Sequence, residues 1–167
     1  MTCKVLGAKT VYLTDHDEIS IQHMTSDSQQ NEVEVNICRL NWFSPDQSIE
    51  YINDGLSSHS NAARLLVLAG DVIYKSALID PFFDTLIKLL RLPHSFLNPS
   101  VAYLCHVPRA GVRHEDVVTA ARERNLVIEE IDILDERSTN GSSLLESSCL
   151  RYCPREDLDR AKLYKLY

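Results

Sequence analysis

The sequence predicts an α/β fold with a doubly wound sheet that ends in an antiparallel strand pair. Short apolar runs alternate along the chain with longer segments whose apolar residues recur at helical spacing, and this alternation is typical of an α/β sheet. Near the end of the chain, two apolar runs follow each other across a long loop rich in Ser, Thr, Asn and Gly. Consecutive strands of this kind favour antiparallel pairing.

Length and composition favour one domain, 1–167. A chain of 167 residues with 44% apolar residues buries roughly 70% of the surface that its unfolded form exposes. The net charge of -7 argues against nucleic acid, whose phosphates select basic patches. Residues 1–60 hold nine acids and three bases, a balance of -6, whereas the remainder holds 15 acids and 14 bases. This acidic first third either attracts a basic partner, such as a lysine-bearing protein segment, or is a solvated surface.

The cysteines and the hydropathy pattern indicate the cellular compartment and whether the chain binds metal or inserts into a membrane. Five cysteines without paired spacing favour a reducing compartment over a disulfide framework. Cys149 and Cys153 are candidate metal ligands with His94 or His106, but zinc sites usually show two tight ligand pairs, so no metal is expected. The sequence has no apolar run of 18 residues and no basic start followed by an apolar stretch. We therefore expect no membrane contact and a cytoplasmic protein, with the nucleus as an alternative compartment.

Six strands are predicted from apolar runs bounded by turn residues or proline. Alternation of apolar and polar residues makes the second an outer strand with one wet face, and the continuous apolar run of the third makes it a central, buried strand. The predicted strands are 10–14, 33–38, 64–70, 100–107, 126–134 and 161–167.

Helix predictions differ in how much pattern supports them. Residues 78–92 place seven apolar side chains at helical spacing, and Pro93 ends the segment. A charged helix with an apolar face is predicted from His114 or Glu115 to Asn125, and a weaker helix from Asp15 to about Met24. The polar segment 44–61 is predicted to be an inserted loop with at most one helical turn. Residues 135–149 are predicted to be loop.

Three short motifs lie at or just beyond the ends of predicted strands, the edge where ligands bind in open α/β sheets. They are LTDH at 13–16, RLNWF at 39–43 and AGDVIY at 69–74. In this order, with HVPRAG at 106–111 and the closing segment 156–167, they resemble the class I, seven-strand S-adenosylmethionine-dependent methyltransferases. More specifically, they resemble the protein-lysine methyltransferase family with a D-x-x-Y motif. The resemblance implies a Rossmann-like sheet, S-adenosylmethionine as cofactor and a lysine-bearing protein as substrate.

The resemblance also assigns roles to five residues. It implies that Asp15 holds the ribose hydroxyls of the cofactor, that Trp42 lies against the adenine and that Gly70 lies near the cofactor. It implies that Asp71 and Tyr74 face the substrate lysine. Simpler roles remain open for three of them. Asp15 could be a helix N-cap, Trp42 could be a half-buried core aromatic, and Asp71 could hold a ribose or cap a helix.

The residue types suit methyl transfer to an amine. That reaction is an in-line displacement at a sulfonium carbon, so the protein mainly aligns a neutral amine, which can contribute about 7 to 11 kcal/mol. Asp71 could orient the amine by accepting a hydrogen bond, and Tyr74 could form an aromatic wall whose apolar surroundings disfavour the ammonium. Arg109 is expected to pair with an acid or steer a partner. His106 and His114 are expected at the surface or in capping positions.

The front of the chain departs from the family pattern. The family's first strand and its G-x-G-x-G loop should precede Val5, yet the five glycines include no G-x-G. We therefore expect an N-terminally incomplete sheet, in which the family's second and fourth strands lack the strand between them. Either these strands close up, or another segment fills the gap, or the chain is truncated. The alternative function is a non-catalytic methyltransferase-like remnant or protein-binding module.

Overall fold

The chain folds into helices and two sheets, arranged in two compact units. A computed structural model describes residues 2–57, 64–93, 99–109, 111–131 and 160–167. The first unit comprises Met1–Ala63 and Leu92–Leu97, and the second comprises Arg64–Arg91 and Asn98–Tyr167. None of the described helices combines the length and the apolar character that a membrane crossing requires.

The first unit contains a two-stranded parallel sheet and three helices. Its sheet pairs Tyr12 with Asn36 at one end and Asp15 with Arg39 at the other. Asp17 caps the second helix, because its Oδ2 accepts a hydrogen bond of 2.9 Å from the Ser20 amide. The elements are α1 (Thr2–Val5), β1 (Tyr12–Asp15), α2 (Glu18–Gln30), β2 (Asn36–Arg39) and α3 (Asp46–Ser57).

Helix α3 corrects the prediction of an inserted loop at 44–61. The segment forms a helix of 12 residues that buries Ile49 and Ile52. Apolar residues at these two positions, three apart, occupy one face of a helix even though Ser, Asp and Asn dominate the segment. Tertiary burial of that face therefore outweighs the weak helix propensity of the polar residues.

The second unit contains a four-stranded mixed sheet in the order β3-β4-β6-β5. Strands β3 and β4 are parallel, whereas β6 lies between β4 and β5 and runs antiparallel to both. The predicted α/β class and the antiparallel pairing of the last two strands are thus confirmed. The elements are β3 (Leu66–Gly70), a 3₁₀ turn (Ser76–Leu78), α4 (Ile79–Leu90), β4 (Val101–His106), α5 (His114–Glu123), β5 (Ile128–Ile131) and β6 (Lys162–Leu166).

Apolar side chains of both helices and of the inner strands are buried in the second unit. Helix α4 confirms the strongest helix prediction, since it ends at Leu90, three residues before Pro93. Arg124, at the end of α5, donates hydrogen bonds to Asp80 and Asp84 of α4 at 2.8 and 2.7 Å and so ties the two helices together. The buried side chains include Phe82, Phe83, Leu86, Val117, Ala121, Leu104, Tyr164 and Leu166.

Strand β3 differs from the prediction of a central, buried strand. Within its unit it is an edge strand, because β4 is its only partner among the described strands. Leu66 and Leu68 are 49% and 57% exposed, so the face of β3 that carries these side chains is open to solvent at both positions. A continuous apolar run predicts burial on both faces but cannot specify which neighbour covers them.

Candidate functional site

The edge formed by the ends of β3 and β4 holds the residues expected to face the substrate. Gly70 pairs with Cys105 as the last residue of β3, and the amide of Asp71 donates to the Cys105 carbonyl at 2.8 Å. Asp71 therefore follows β3 at the same level at which His106 ends β4. Parallel strands bring their carboxyl ends to one edge, which is where ligands bind in open α/β sheets.

Asp71 has an unusual backbone conformation. Its φ is +52°, in the left-handed region that residues with a Cβ seldom adopt, although Asp and Asn do so more readily than most. Such a conformation costs free energy and is maintained by the surrounding contacts. It turns the chain sharply at the point where the strand opens and leaves the carboxylate at the sheet edge.

The two oxygens of the Asp71 carboxylate have different environments. Oδ2 accepts a hydrogen bond from the guanidinium of Arg109, which also forms an ion pair with it. Oδ1 is buried and accepts no hydrogen bond from the residues that the structure describes. Arg109 thus pairs with an acid, one of its two expected roles. The arrangement holds the carboxylate by one oxygen and leaves the buried one without a donor among the described residues.

Tyr74 lies three residues beyond Asp71 with 40% of its surface exposed. The ammonium of Lys75 is 5.7 Å from the centroid of the Tyr74 ring. Cations within about 6 Å of an aromatic ring are attracted by its quadrupole. The ring is therefore an accessible surface that can attract an alkylammonium group.

Gly70 leaves open space at the end of β3. A Cβ added at this glycine would meet no heavy atom within 4 Å. Packing of the chain against itself therefore does not require glycine here, and the space beside the backbone can admit a ligand.

His106 corrects the expectation of a surface or capping histidine. It is the last residue of β4 and is completely buried, whereas His114 is the partly buried first residue of α5. Their Nδ1 atoms are 3.1 Å apart, and the two rings meet edge to face with centroids 5.0 Å apart. One signal in the sequence marks this residue: like Asp71, His106 directly follows an apolar strand run.

The hydrogen bonds assign a tautomer to each ring. His114 Nε2 is 3.0 Å from the carbonyl oxygen of Arg160, which can only accept, so His114 Nε2 carries the proton. In the neutral ring, His114 Nδ1 is then an acceptor, and His106 Nδ1 must donate to it. This leaves a lone pair on His106 Nε2, which is buried and has no hydrogen-bond partner among the described residues.

Burial keeps His106 in this neutral form. Desolvation lowers the pKa of His106 below its ordinary value of 6.5, and the adjacent His114 ring lowers it further. Asp71 opposes this effect because its negative charge favours the imidazolium. At neutral pH the ring therefore carries one proton and one free lone pair.

The residues expected to bind the cofactor in the first unit lie at the carboxyl end of its sheet. Asp15 ends β1, and its Oδ1 accepts a hydrogen bond of 2.9 Å from the Asp17 amide. Because Asp17 is the N-cap of α2, the alternative role of Asp15 as a cap is wrong. Trp42 follows β2 in the turn before α3 and is half-buried.

A metal site receives no support from the described residues. They contain no cluster of three or more His, Cys, Asp or Glu side chains arranged to hold a metal ion. His94, Cys149 and Cys153, the other candidate ligands named from the sequence, lie outside the described residues.

Comparison with known proteins leaves the family as an expectation. No model of a known protein family matches the chain, and no curated protein matches it either.

Proposed function

We propose that the edge formed by the ends of β3 and β4 binds a lysine side chain and that the protein is an S-adenosylmethionine-dependent protein-lysine N-methyltransferase. The observation that carries the proposal is the Asp71 carboxylate, with Oδ2 held by Arg109 and Oδ1 a buried acceptor. An ammonium group can donate to Oδ1 while its alkyl chain lies against Tyr74. A carboxylate fixed before the substrate arrives loses little freedom on binding it.

The sheet supports the finer description of the fold as Rossmann-like. Each unit contains one parallel strand pair, β1 with β2 in the first and β3 with β4 in the second. The sheet of the second unit also carries the antiparallel strand β6 between β4 and β5. Doubly wound sheets commonly combine parallel strands with an antiparallel one. The motif residues follow the carboxyl ends of strands in both units, as ligand-binding residues do in such sheets.

In the first unit, Asp15 would accept hydrogen bonds from the ribose hydroxyls and Trp42 would lie against the adenine. In the second unit, the resemblance assigns Gly70 to the cofactor, and the open space at Gly70 would admit a ligand close to its backbone. When bound, S-adenosylmethionine supplies a methyl group on a sulfonium sulfur. The fit is incomplete, since the sequence offers no G-x-G turn for a closer backbone approach.

Within this proposal, the residues of the second unit position the amine and lower its affinity for protons. Desolvation of the lysine at the sheet edge disfavours its charged form, which must lose one proton to solvent to expose a lone pair. A hydrogen bond from the amine to Asp71 Oδ1 then fixes the direction of the nitrogen. Arg109 offsets the negative charge of the carboxylate, which would otherwise favour the ammonium.

A non-catalytic lysine-binding module is the second candidate function. The absence of a G-x-G turn from the sequence favours it, because the substrate-binding edge could persist without firm cofactor binding. The two candidates share the Asp71 and Tyr74 contacts and differ only in methyl transfer.

Transfer of labelled methyl groups tests the proposal. The chain is incubated with a lysine-rich protein and isotope-labelled S-adenosylmethionine at high concentration, beside the same protein with its lysines blocked by reductive dimethylation. We expect label on lysines of the unblocked protein only, and loss of that label with Asp71→Ala. Asp84→Ala, an exposed carboxylate on α4, is the matched control. No transfer by the wild-type chain, or transfer that survives Asp71→Ala, would contradict the methyltransferase assignment.

A further inference from the structure

Both ends of the connection between β4 and α5 are tied to one residue outside it. The Arg160 guanidinium donates a hydrogen bond of 2.6 Å from Nη2 to the Pro108 carbonyl, two residues beyond the end of β4. The Arg160 carbonyl accepts a hydrogen bond of 3.0 Å from His114 Nε2, at the first residue of α5. Arg160 lies two residues before β6, so the connection is fastened to the strand that pairs with β4.

Arg109 lies inside this connection, directly after Pro108. The Pro108 carbonyl and the Arg109 nitrogen belong to one planar peptide group, so a bond to that oxygen fixes the plane from which Arg109 departs. A hydrogen bond of 2.9 Å from the Val112 amide to the Arg109 carbonyl holds the other side of the residue. The backbone of Arg109 is therefore held on both sides, and Arg160 supplies one of the two bonds.

Arg109 transmits this placement to the Asp71 carboxylate. Its guanidinium donates to Asp71 Oδ2 and forms an ion pair with it. The Arg109 side chain is 46% exposed and the Asp71 side chain is 33% exposed, so water competes for both groups. An exposed pair contributes little free energy and costs side-chain entropy, so its geometry depends on how firmly the backbone of each partner is held.

We propose that Arg160 is a positioning residue for the lysine site at the end of β3: it fixes the backbone of Arg109 and thereby the orientation of the Asp71 carboxylate. The inference rests on the proposed function, because Asp71 is the group that would contact the lysine. Arg160 acts through Arg109 and takes no part in the chemistry itself. A misplacement of 1 Å that begins far from the reacting atoms can cost about a hundredfold in rate, so such a residue can control the site.

The substitution Arg160→Met separates the two ties. It removes the donors of the guanidinium and keeps an apolar side chain of similar length, whereas the backbone carbonyl remains to accept from His114. Arg160 is exposed, so the change leaves no cavity in the core. Arg160→Lys retains a charged donor for the Pro108 carbonyl and is the rescue variant. Arg122→Met removes the same charge from an exposed position on α5 and is the matched control.

Rotation of the arginine guanidinium groups provides the readout. NMR exchange measurements on the wild-type chain and the variants give the rate of rotation about the Nε–Cζ bond of each assigned arginine, and a bond to a carboxylate slows that rotation. We expect Arg160→Met to speed the rotation of Arg109 by about two- to tenfold, the change in population that one lost hydrogen bond produces. Arg124, paired with Asp80 and Asp84, is the internal reference and should keep its rate.

The outcomes separate this inference from the proposed function. Faster rotation of Arg109 alone, reversed by Arg160→Lys and absent from Arg122→Met, supports the inference, and methyl transfer by Arg160→Met should then slow by a similar factor. Unchanged rotation of Arg109, or equal acceleration of Arg109 and Arg124, would overturn the inference and leave the lysine site itself standing. Faster rotation of Arg109 with no methyl transfer by the wild-type chain would overturn the methyltransferase assignment and leave the placement of Arg109 by Arg160 intact.

Discussion

The phenol of Tyr12 in β1 occupies the space beside Gly55 in α3, and a Cβ added to Gly55 would lie 1.8 Å from Tyr12 Oη. Glycine within a helix ordinarily costs about 1 kcal/mol relative to alanine. Here the missing side chain lets the helix approach the strand. The contact explains how α3 tolerates a glycine two residues before its end.

Gly55→Ala should therefore lower the free energy of unfolding by about 1 to 3 kcal/mol, the usual cost of overpacking, instead of raising it through helix propensity. Urea denaturation measures the change. Tyr12→Phe removes the hydroxyl oxygen, so the double variant Tyr12→Phe/Gly55→Ala should recover much of the loss. A stabilising Gly55→Ala in the wild-type background would contradict the contact.

Cofactor affinity should be weak, because a glycine turn normally lets the backbone approach the ligand and the sequence contains none. Isothermal titration with S-adenosylmethionine measures this affinity, and a dissociation constant in the low micromolar range would contradict the expectation. Asp15→Ala should weaken the binding that remains by about 1.5 to 3 kcal/mol, the value of a hydrogen bond to a charged group. Trp42→Ala should also weaken it.

Asp27→Ala is the matched control for Asp15→Ala. It removes the same charge from an exposed position on α2. If both variants changed the affinity equally, net charge would explain the effect, and Asp15 would have no role in binding.

Stability should depend on pH through His106. Burial lowers its pKa in the folded protein, so below about 6.5 the unfolded chain takes up the proton first. The contribution of His106 to the free energy of unfolding is therefore complete above pH 6.5. It is lost as the pH falls toward the lowered pKa of the folded state, at up to about 1.4 kcal/mol per pH unit. Urea titrations between pH 5 and pH 8 measure the slope. His106→Gln should flatten it, whereas His23→Gln, at an exposed position on α2, should not.

Arg124 should matter more to stability than its neighbour Arg122. The Arg124 side chain is only 18% exposed and forms ion pairs with Asp80 and Asp84. The hydrogen bond to Asp84 is the main cause of the raised pKa of the Arg124 guanidinium. Both carboxylates are well exposed, so the screened pairs contribute about 1 kcal/mol together. Thermal unfolding should show a clear loss for Arg124→Ala and almost none for Arg122→Ala. Equal melting temperatures would show that the link between α4 and α5 contributes nothing.

The sequence predicts elements well where local pattern decides them. Helix α4 has apolar residues on one face and a proline just beyond its end, and both signals are local. Helix α3 escaped prediction because only a few apolar residues, including Ile49 and Ile52, mark its buried face within a polar segment. Its stability comes from what that face contacts, which a single segment does not show.

The candidate site was predictable in part for the same reason. Asp71 and Tyr74 follow an apolar strand, so their place at the sheet edge can be read from the sequence. The partner of His106 is His114, eight positions away on a helix, and the partner of Asp71 is Arg109, which is 38 positions away. Contacts of this kind require the path of the chain between strands, which no local pattern provides.

The ladder between β3 and β4 gives the two sides of β3 different access to solvent. The Val101 amide donates to the Leu65 carbonyl, and the Asp71 amide donates to the Cys105 carbonyl. The backbone N–H and C=O groups of odd-numbered residues in this segment therefore point toward β4. The amides of Leu66 and Leu68 point to the edge that no described strand of this unit covers. Deuterium should therefore replace protons quickly at these two positions and slowly at Val67 and Ala69. Hydrogen exchange along β3 would then alternate from residue to residue, fast at the amides that point away from β4 and slow at those that bond to it.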